Sequence, residues 1–559
     1  MLIKYIKIII VILSITYFIP VYSKNISKNE FNSQYLSNYL SALVSFDNKN
    51  NDNALKFFKL SKPLKDKHNP YLKEYIFALI MNGKVDNATK ELLYNLGKKN
   101  SNFFEAYLLL TLDSIKRGDF KKSNKYLKQL SKFRDSGTFE MIIYETLKDY
   151  VFVFKNKKLS GEQNSFGNLS LINKVFQNCY LNEEKTPNQF YGLINNNDLD
   201  YSRYLFFYVA YLAKLEKIDQ IKKATNQIDV LNSSLLIGQT KKWVDHGNLN
   251  NFDKIFSCNK ETDILGEFFF LIANLYSSQQ DFDNSNFYLY ISNYLNPDFR
   301  FNLSLIVENY YSMKNYDESK KILNNFTKND DLYYWYKIKK KAAIIAQKYN
   351  EERSKNFINS EFKKIKNPSI KILYDMANIT KGFKEYAESI NYYNKILLMI
   401  DDTSVAYSDI LYRRGGSYER LKDFKMADQD LLLSIEKNPE DAYALNYLAY
   451  SWLERDYKIN EAIKMLEKAY VLKENDPFIL DSVGWAYYLV NDFIKAEKFL
   501  KRAIMLMPDD PVVNDHYGDI LWKLNYKIQA VYYWKNTLKL ENTENEMKKN
   551  IGIKILKGL

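Results

Sequence analysis

Residues 480–508 read LDSVGWAYYLVNDFIKAEKFLKRAIMLMP. Two amphipathic runs flank the polar turn Asn491–Asp492, and Pro508 closes the stretch. Each run holds one small residue among large ones, Gly484 in the first and Ala496 in the second. The pattern recurs on both sides. Gly415, Ala449, Gly484 and Gly518 form one register, spaced by 34, 35 and 34 residues. Ala427, Ala462, Ala496 and Ala530 follow, and four residues further come Leu431, Leu466, Leu500 and Trp534. Leu411, Leu445, Leu480 and Asn514 precede the register point, and Tyr418, Trp452, Tyr487 and Leu521 follow it. A period of this length marks stacked supersecondary units. Each unit reads as two helices, A and B, joined by a tight turn. Only Gly or Ala fits where A crosses B, and large residues one helical turn away fill the space beside the crossing. Proline ends helix B because it lacks an N–H and pushes its predecessor out of helical angles. One unit cannot bury its apolar face alone, so neighbours must stack.

Upstream the register continues in weaker form. Ala377 heads a unit with Leu373, Met376, Tyr386 and Tyr393. Val307 heads another with Leu303, Tyr310 and Leu323, and Ala273 a third with Phe269, Tyr276, Leu289 and Pro297. Residues 201–224, 104–127 and 36–60 read as further helix pairs, the last two with Ser123 and Ala54 at the small second-helix place. Residues 155–200 are poor in pattern and rich in Asn and Gly, and 333–366 is helical but out of phase. The recurring crossing alanines and short Asp- or Asn-bearing turns argue against a coiled coil.

The register resembles the tetratricopeptide (TPR) consensus, most closely over 480–508. The wider set LNYLAYSWLE (445–454), DSVGWAYYL (481–489) and NDHYGDILWKL (514–524) with YYW (532–534) resembles a family of exported proteobacterial TPR proteins. YLSNYLSALVSFDNKNNDNALKFF (35–58) is similar to the opening unit of alphaproteobacterial members. That family includes a TPR lipoprotein that partners a periplasmic carboxy-terminal processing protease and brings it cell-wall hydrolases. The expected fold is all-α, a right-handed solenoid of TPR-type helical hairpins in two arms with a divergent middle. The divisions read as a signal peptide at 1–23, degenerate repeats at 24–154, a divergent helical junction at 155–265, degenerate repeats at 266–402, a well-formed array at 403–545 and a tail at 546–559.

Composition fits a folded helical chain of more than one core. The 559 residues are 46% hydrophobic and 26% charged, with only 17 Gly and 10 Pro. The formal charge is +13, and +11 without residues 1–23, which carry Lys4 and Lys7 and no acid. The basic residues are scattered, which reads as solvated helix faces. A nucleic-acid partner is not expected. Lys4 and Lys7 precede the apolar run Ile8–Ile19, the length of a signal-peptide core and short for a membrane span. Val21 and Ser23 suit cleavage after Ser23 and a periplasmic protein; an uncleaved inner-membrane anchor is the alternative and the one membrane contact expected. No cysteine follows the leader closely, so no lipid anchor is expected. Cys179 and Cys258 are the two cysteines. They read as unpaired core residues, with a disulfide open if the fold brings them together.

Catalytic motifs are missing. The sequence holds no GxxxxGK[ST] loop, HExxH helix, GxSxG elbow or EF-hand loop. Its three histidines, His68, His246 and His516, lie far apart without a second His or a Cys at metal spacing, so neither metal nor cofactor is expected. His516 beside Asp515 lacks a nucleophile and reads as a plain polar helix position. The TPR resemblance implies a binding groove instead, lined by places two, five, nine and twelve of each helix A. Place two holds Asp409, Tyr443, Phe478 and Val512, and place five Tyr412, Asn446, Asp481 and Asp515. Place nine holds Gly416, Tyr450, Trp485 and Asp519, and place twelve Glu419, Leu453, Tyr488 and Trp522. The partner-binding set read from these is Tyr412, Tyr443, Asn446, Tyr450, Asp481, Trp485, Tyr488, Asp515, Asp519 and Trp522. Aromatic rings give rigid contact area, and Asn and Asp can bond a peptide backbone or basic side chains. The alternative for the aromatics is packing between units. The functional expectation is a non-catalytic scaffold or adaptor for protein or peptide partners, by resemblance a periplasmic protease, cell-wall hydrolases or an envelope assembly factor. The alternative is a helical-repeat enzyme with a cryptic site in the divergent middle.

Overall fold

A computed structural model describes residues 33–161, 165–195, 202–328 and 330–559. Residues 1–23, read as a signal peptide, lie outside them. The described residues form 30 α-helices and no strand, an all-α helical solenoid. None of these helices is long and apolar enough to cross a membrane. The chain divides into two compact units. Unit 1 runs to Ile228 and from Ser234 to Glu351; unit 2 comprises Asp229–Ser233 and Glu352–Leu559.

Unit 1 is built on an aromatic core that includes Tyr71, Tyr150, Tyr310, Phe154, Phe176, Phe190, Phe206 and Phe207, all nearly inaccessible. The described residues of 155–228 and 234–265 belong to this unit and contribute four of those rings. Here the cysteine expectation is corrected, because Cys179 and Cys258 form a disulfide with Cα atoms 5.7 Å apart. Aromatic packing places them together. Phe256 packs edge-on against Phe207 at 4.6 Å and Phe176 at 5.8 Å, which draws the segment carrying Cys258 onto the helix Asn168–Leu181. Asp263 holds the turn by accepting from the Ser257 N–H at 2.9 Å.

Unit 2 holds the regular array. Its helices are α1 (Glu351–Phe362), α2 (Ile370–Gly382), α3 (Tyr386–Leu397), α4 (Val405–Arg420), α5 (Phe424–Lys437), α6 (Ala442–Leu453), α7 (Ile459–Leu472), α8 (Pro477–Leu489), α9 (Phe493–Leu506), α10 (Pro511–Lys523), α11 (Lys527–Lys539) and α12 (Asn545–Lys557). From α2 onward the even helices are A and the odd ones B. Crossing points fall where the register put them. A Cβ on Gly484 would lie 2.6 Å from Leu500 Cγ, one on Gly518 2.6 Å from Trp534 Cδ1, and one on Gly415 2.9 Å from Leu431 Cγ. No real Cβ tolerates such distances, so these glycines are required by contact. Ala449, Ala427, Ala462, Ala496 and Ala530 are fully buried.

Two capping devices set the turns. Between A and B, a left-handed residue precedes an aspartate cap in Lys422–Asp423 and Asn491–Asp492. Between successive hairpins, Asp441, Asp476 and Asp510 each accept two backbone N–H groups at the start of α6, α8 and α10. Pro477 and Pro511 take the first helical place, where no N–H is needed. Residues 546–559, read as a tail, form most of α12. Ile551 is buried, and Gly552 repeats the register 34 residues after Gly518, so α12 stands as one more helix A.

Candidate protein-binding face of unit 2

Helices A of unit 2 stand side by side, so equivalent places line up across them. Place two forms the outer row. Tyr443, Phe478 and Val512 are 44%, 58% and 36% exposed. Asp409 in the same row is held by Arg413 at 2.9 Å. The Lys473 ammonium sits 4.2 Å over the Tyr443 ring and donates to its hydroxyl at 3.1 Å, while that hydroxyl donates to Asp476.

Place five is more enclosed. Tyr412 is half-buried and packs edge-on against Tyr447 at 5.8 Å. Asn446 is half-buried, and its Oδ1 is a buried acceptor without a partner. Asp481 is buried, with both carboxylate oxygens 3.0 Å from His516 Nδ1. Asp515 accepts from Lys554 of α12 at 2.6 Å.

Place nine brings in Tyr450, Trp485 and Asp519. Burial is the main cause that lifts the Tyr450 hydroxyl pKa, with the Glu454 and Asp481 charges adding to it. Trp485 is sandwiched, its ring stacked on His516 at 4.0 Å and on Tyr488 at 4.7 Å. Asp519 is buried and accepts from Lys554 at 2.7 and 2.8 Å and from Trp534 Nε1 at 2.9 Å. Burial and the neighbouring Asp515 push its pKa up, and Lys554 opposes them. At place twelve, Tyr488 is pushed up to about 12 by burial and then by Asp519 and Asp515. Trp522 lies beneath the Gly558 backbone, and Leu453 is buried.

The ten residues read from the sequence thus separate by environment. Asp481, Trp485, Tyr488, Asp515, Asp519 and Trp522 gather at the end formed by α8, α10 and α12. Tyr412, Tyr443, Asn446 and Tyr450 lie on α4 and α6. Asp481 and Asp519 are corrected from groove ligands to interhelix partners, because their carboxylates are buried and already paired. Likewise His516 is no plain polar position. It is buried, and it bonds Asp481 rather than its neighbour Asp515. Burial disfavours its charged form and is the largest influence. Asp481, through charge and hydrogen bond, with Asp515 and Asp519 outweighs it, so its pKa lies above the ordinary value.

Sequence reasoning missed His516, Tyr447 and Lys554. Tyr447 and His516 share place six, and each packs onto groove places of the preceding helix A. Tyr447 donates to Glu419 at 2.9 Å, as His516 meets Asp481. Lys381 was missed as well. It lies 3.2 Å from where a Gly416 Cβ would stand, and its pKa is lowered to about 8 by burial and by Arg413 and Arg420. Among the described residues no group of His, Cys, Asp and Glu could hold a metal ion.

No family model matches the chain. Over 119 residues it is 32% identical to a TPR repeat-containing protein of Pseudomonas aeruginosa, a match covering 21% of this chain and 17% of that protein's length. Among solved structures it is similar to a thermophilic TPR protein of Thermus thermophilus, at 15% identity over 34% of this chain and 100% of that one, with a TM-score of 0.30. PilW, a widely conserved type IV pilus biogenesis factor, matches at 18% identity over 34% of this chain and 86% of its own, with a TM-score of 0.31.

Proposed function

Because this chain carries tetratricopeptide repeats, we propose that it is a non-catalytic scaffold whose unit 2 groove holds a protein or peptide partner. Proteins of this repeat class generally mediate protein–protein contacts. The observation that carries the reading is the outer row Tyr443, Phe478 and Val512. Three large apolar side chains stand in water at equivalent places on successive helices. They lie outside the buried core cluster of the array, and an exposed apolar row marks an interaction surface. Further along the array, the half-buried Trp485–Tyr488 pair extends the aromatic content of this face.

The partner class we favour belongs to the cell envelope, a processing protease with its cell-wall hydrolase clients or an assembly factor. The setting is the periplasm. The reading of 1–23 as a signal peptide supports it, and a disulfide suits an oxidising compartment. A scaffold of this kind works through effective concentration, because two clients held on one frame meet more often without new contacts between them.

The test is the triple variant Tyr443→Ser, Phe478→Ser, Val512→Ser on the full chain, used to capture partners from envelope extracts. All three side chains are exposed, so helix content and thermal midpoint should stay within experimental error of wild type. Specific envelope proteins should bind wild type and be lost from the variant. Capture of the same proteins in the same amounts would overturn the reading.

A further inference from the structure

Unit 1 contains a pocket of about 180 Å³, remote in sequence from the groove residues. Its walls come from the helices Ser202–Lys214, Leu235–Asp245, Asn250–Ile255, Phe301–Ser312 and Asp331–Lys348 and from the segment 298–300. Rings dominate its inner surface. Phe206, Phe299 and Tyr333 are buried, and Trp243 and Phe301 are half-buried. A dry apolar cavity of about 150 Å³ is enough to take up benzene, so this one has room for a single aromatic ring.

The polar groups inside satisfy one another. Turned so that its Nε2 faces Asp330, the Gln239 amide donates to both carboxylate oxygens of Asp330 at 3.1 and 3.2 Å and accepts from Trp243 Nε1 at 2.6 Å. Asp330 also caps the helix Asp331–Lys348 by accepting from the Tyr333 N–H. This network fixes the indole as a wall. It also engages the interior carboxylate, so the interior offers ring surface rather than a free charge.

The charges left over stand at the rim. Arg300, Lys254 and Asp298 line the pocket and are exposed. Among the described residues, neither Arg300 nor Lys254 pairs with a carboxylate, and Lys254 donates to Asn251 Oδ1 at 3.4 Å. Two cations beside an aromatic-lined cavity of one-ring size call for an aromatic ring with a carboxylate a few bonds away. We propose that this pocket binds that chemistry: an aromatic side chain inserted among Trp243, Phe299 and Phe301, with its adjoining carboxylate on Arg300 and Lys254. A free aromatic amino acid presents it, and so does a polypeptide whose last residue is aromatic. Asp298 distinguishes these sources, since it can pair with a free α-ammonium group. The site shares no residue with the unit 2 groove, so either reading can fail without the other.

The experiment is calorimetric titration of the full chain with N-acetylphenylalanine, its carboxamide, free phenylalanine and N-acetylglycylphenylalanine. N-acetylphenylalanine should bind with a Kd near about 1 mM or tighter, in keeping with a ligand of its size. The carboxamide should bind at least tenfold more weakly. The double variant Arg300→Ala, Lys254→Ala, altered only at exposed positions, should lose the acid-over-amide preference and keep the thermal midpoint of wild type. Tighter binding of free phenylalanine assigns the amino acid as the source, and tighter binding of the dipeptide assigns a chain terminus. The proposal is overturned if acid and amide bind equally, if the rim variant binds the acid like wild type, or if nothing binds up to about 10 mM.

Discussion

The His516 imidazole is buried between the Asp481 carboxylate and the Trp485 ring. Asp515 and Asp519 flank it on its own helix, and Lys554 faces both of them from α12. Its pKa is raised in the folded chain. Protonated His516 therefore adds stability that is fully present below the unfolded value of about 6.5. That contribution is lost as pH rises through the folded value. Urea unfolding of wild type and His516→Gln should show the larger difference at pH 5.5 and a smaller one at pH 8.5. A gap that stays constant or grows with pH contradicts this account of the site. The pair was hidden in the sequence for a physical reason. Asp481 and His516 are 35 residues apart, one repeat, and belong to adjacent helices A. Place-by-place reading of a single helix assigns Asp481 to solvent, because it omits the following helix that covers it.

At the scale of helices, the crossing glycines were legible because their cause lies within one hairpin. Gly484 and Leu500 are 16 residues apart, and the pattern repeats down the array. Adding a methyl group at Gly484 must displace Leu500, since the new Cβ would stand 2.6 Å from its Cγ. Gly484→Ala should cost about 1–3 kcal/mol by overpacking, despite the better helix propensity of Ala. Gly552 is the internal control. It occupies the same register place on α12, but nothing lies within 4 Å of its Cβ direction. Gly552→Ala should be neutral or stabilising by up to about 1 kcal/mol. Denaturant midpoints of the two variants check the pair, and equal losses at both would contradict the crossing rule. Helix α12 itself read as a tail because no helix B follows it among the described residues, so half of the pattern that identifies a repeat was not there to be read.

For the whole molecule, the sequence conveyed the all-α class and the repeat, but not how unit 1 is held. Its core rests on ring packing that carries no fixed period, and its disulfide joins residues 79 apart. Only the fold brings those cysteines together. Closing so long a loop restricts the unfolded chain, so reduction should destabilise unit 1 by about 2–4 kcal/mol. Hydrogen exchange should show faster amide exchange in unit 1 under reductant, with unit 2 unchanged. Equal acceleration in both units would contradict the division at Glu351–Glu352. The proposed function rests on which face of unit 2 meets a partner. Site-specific photocrosslinking in living cells measures that directly, with the crosslinker at Tyr443, Phe478 or Val512 on helices A, and at Val471, Met505 or Ile528 on helices B. All six positions are exposed, so accessibility alone does not separate the sets. Discrete adducts are expected from the three A positions and none from the three B positions. Adducts confined to the B positions, or equal from both sets, would contradict the binding face assigned here.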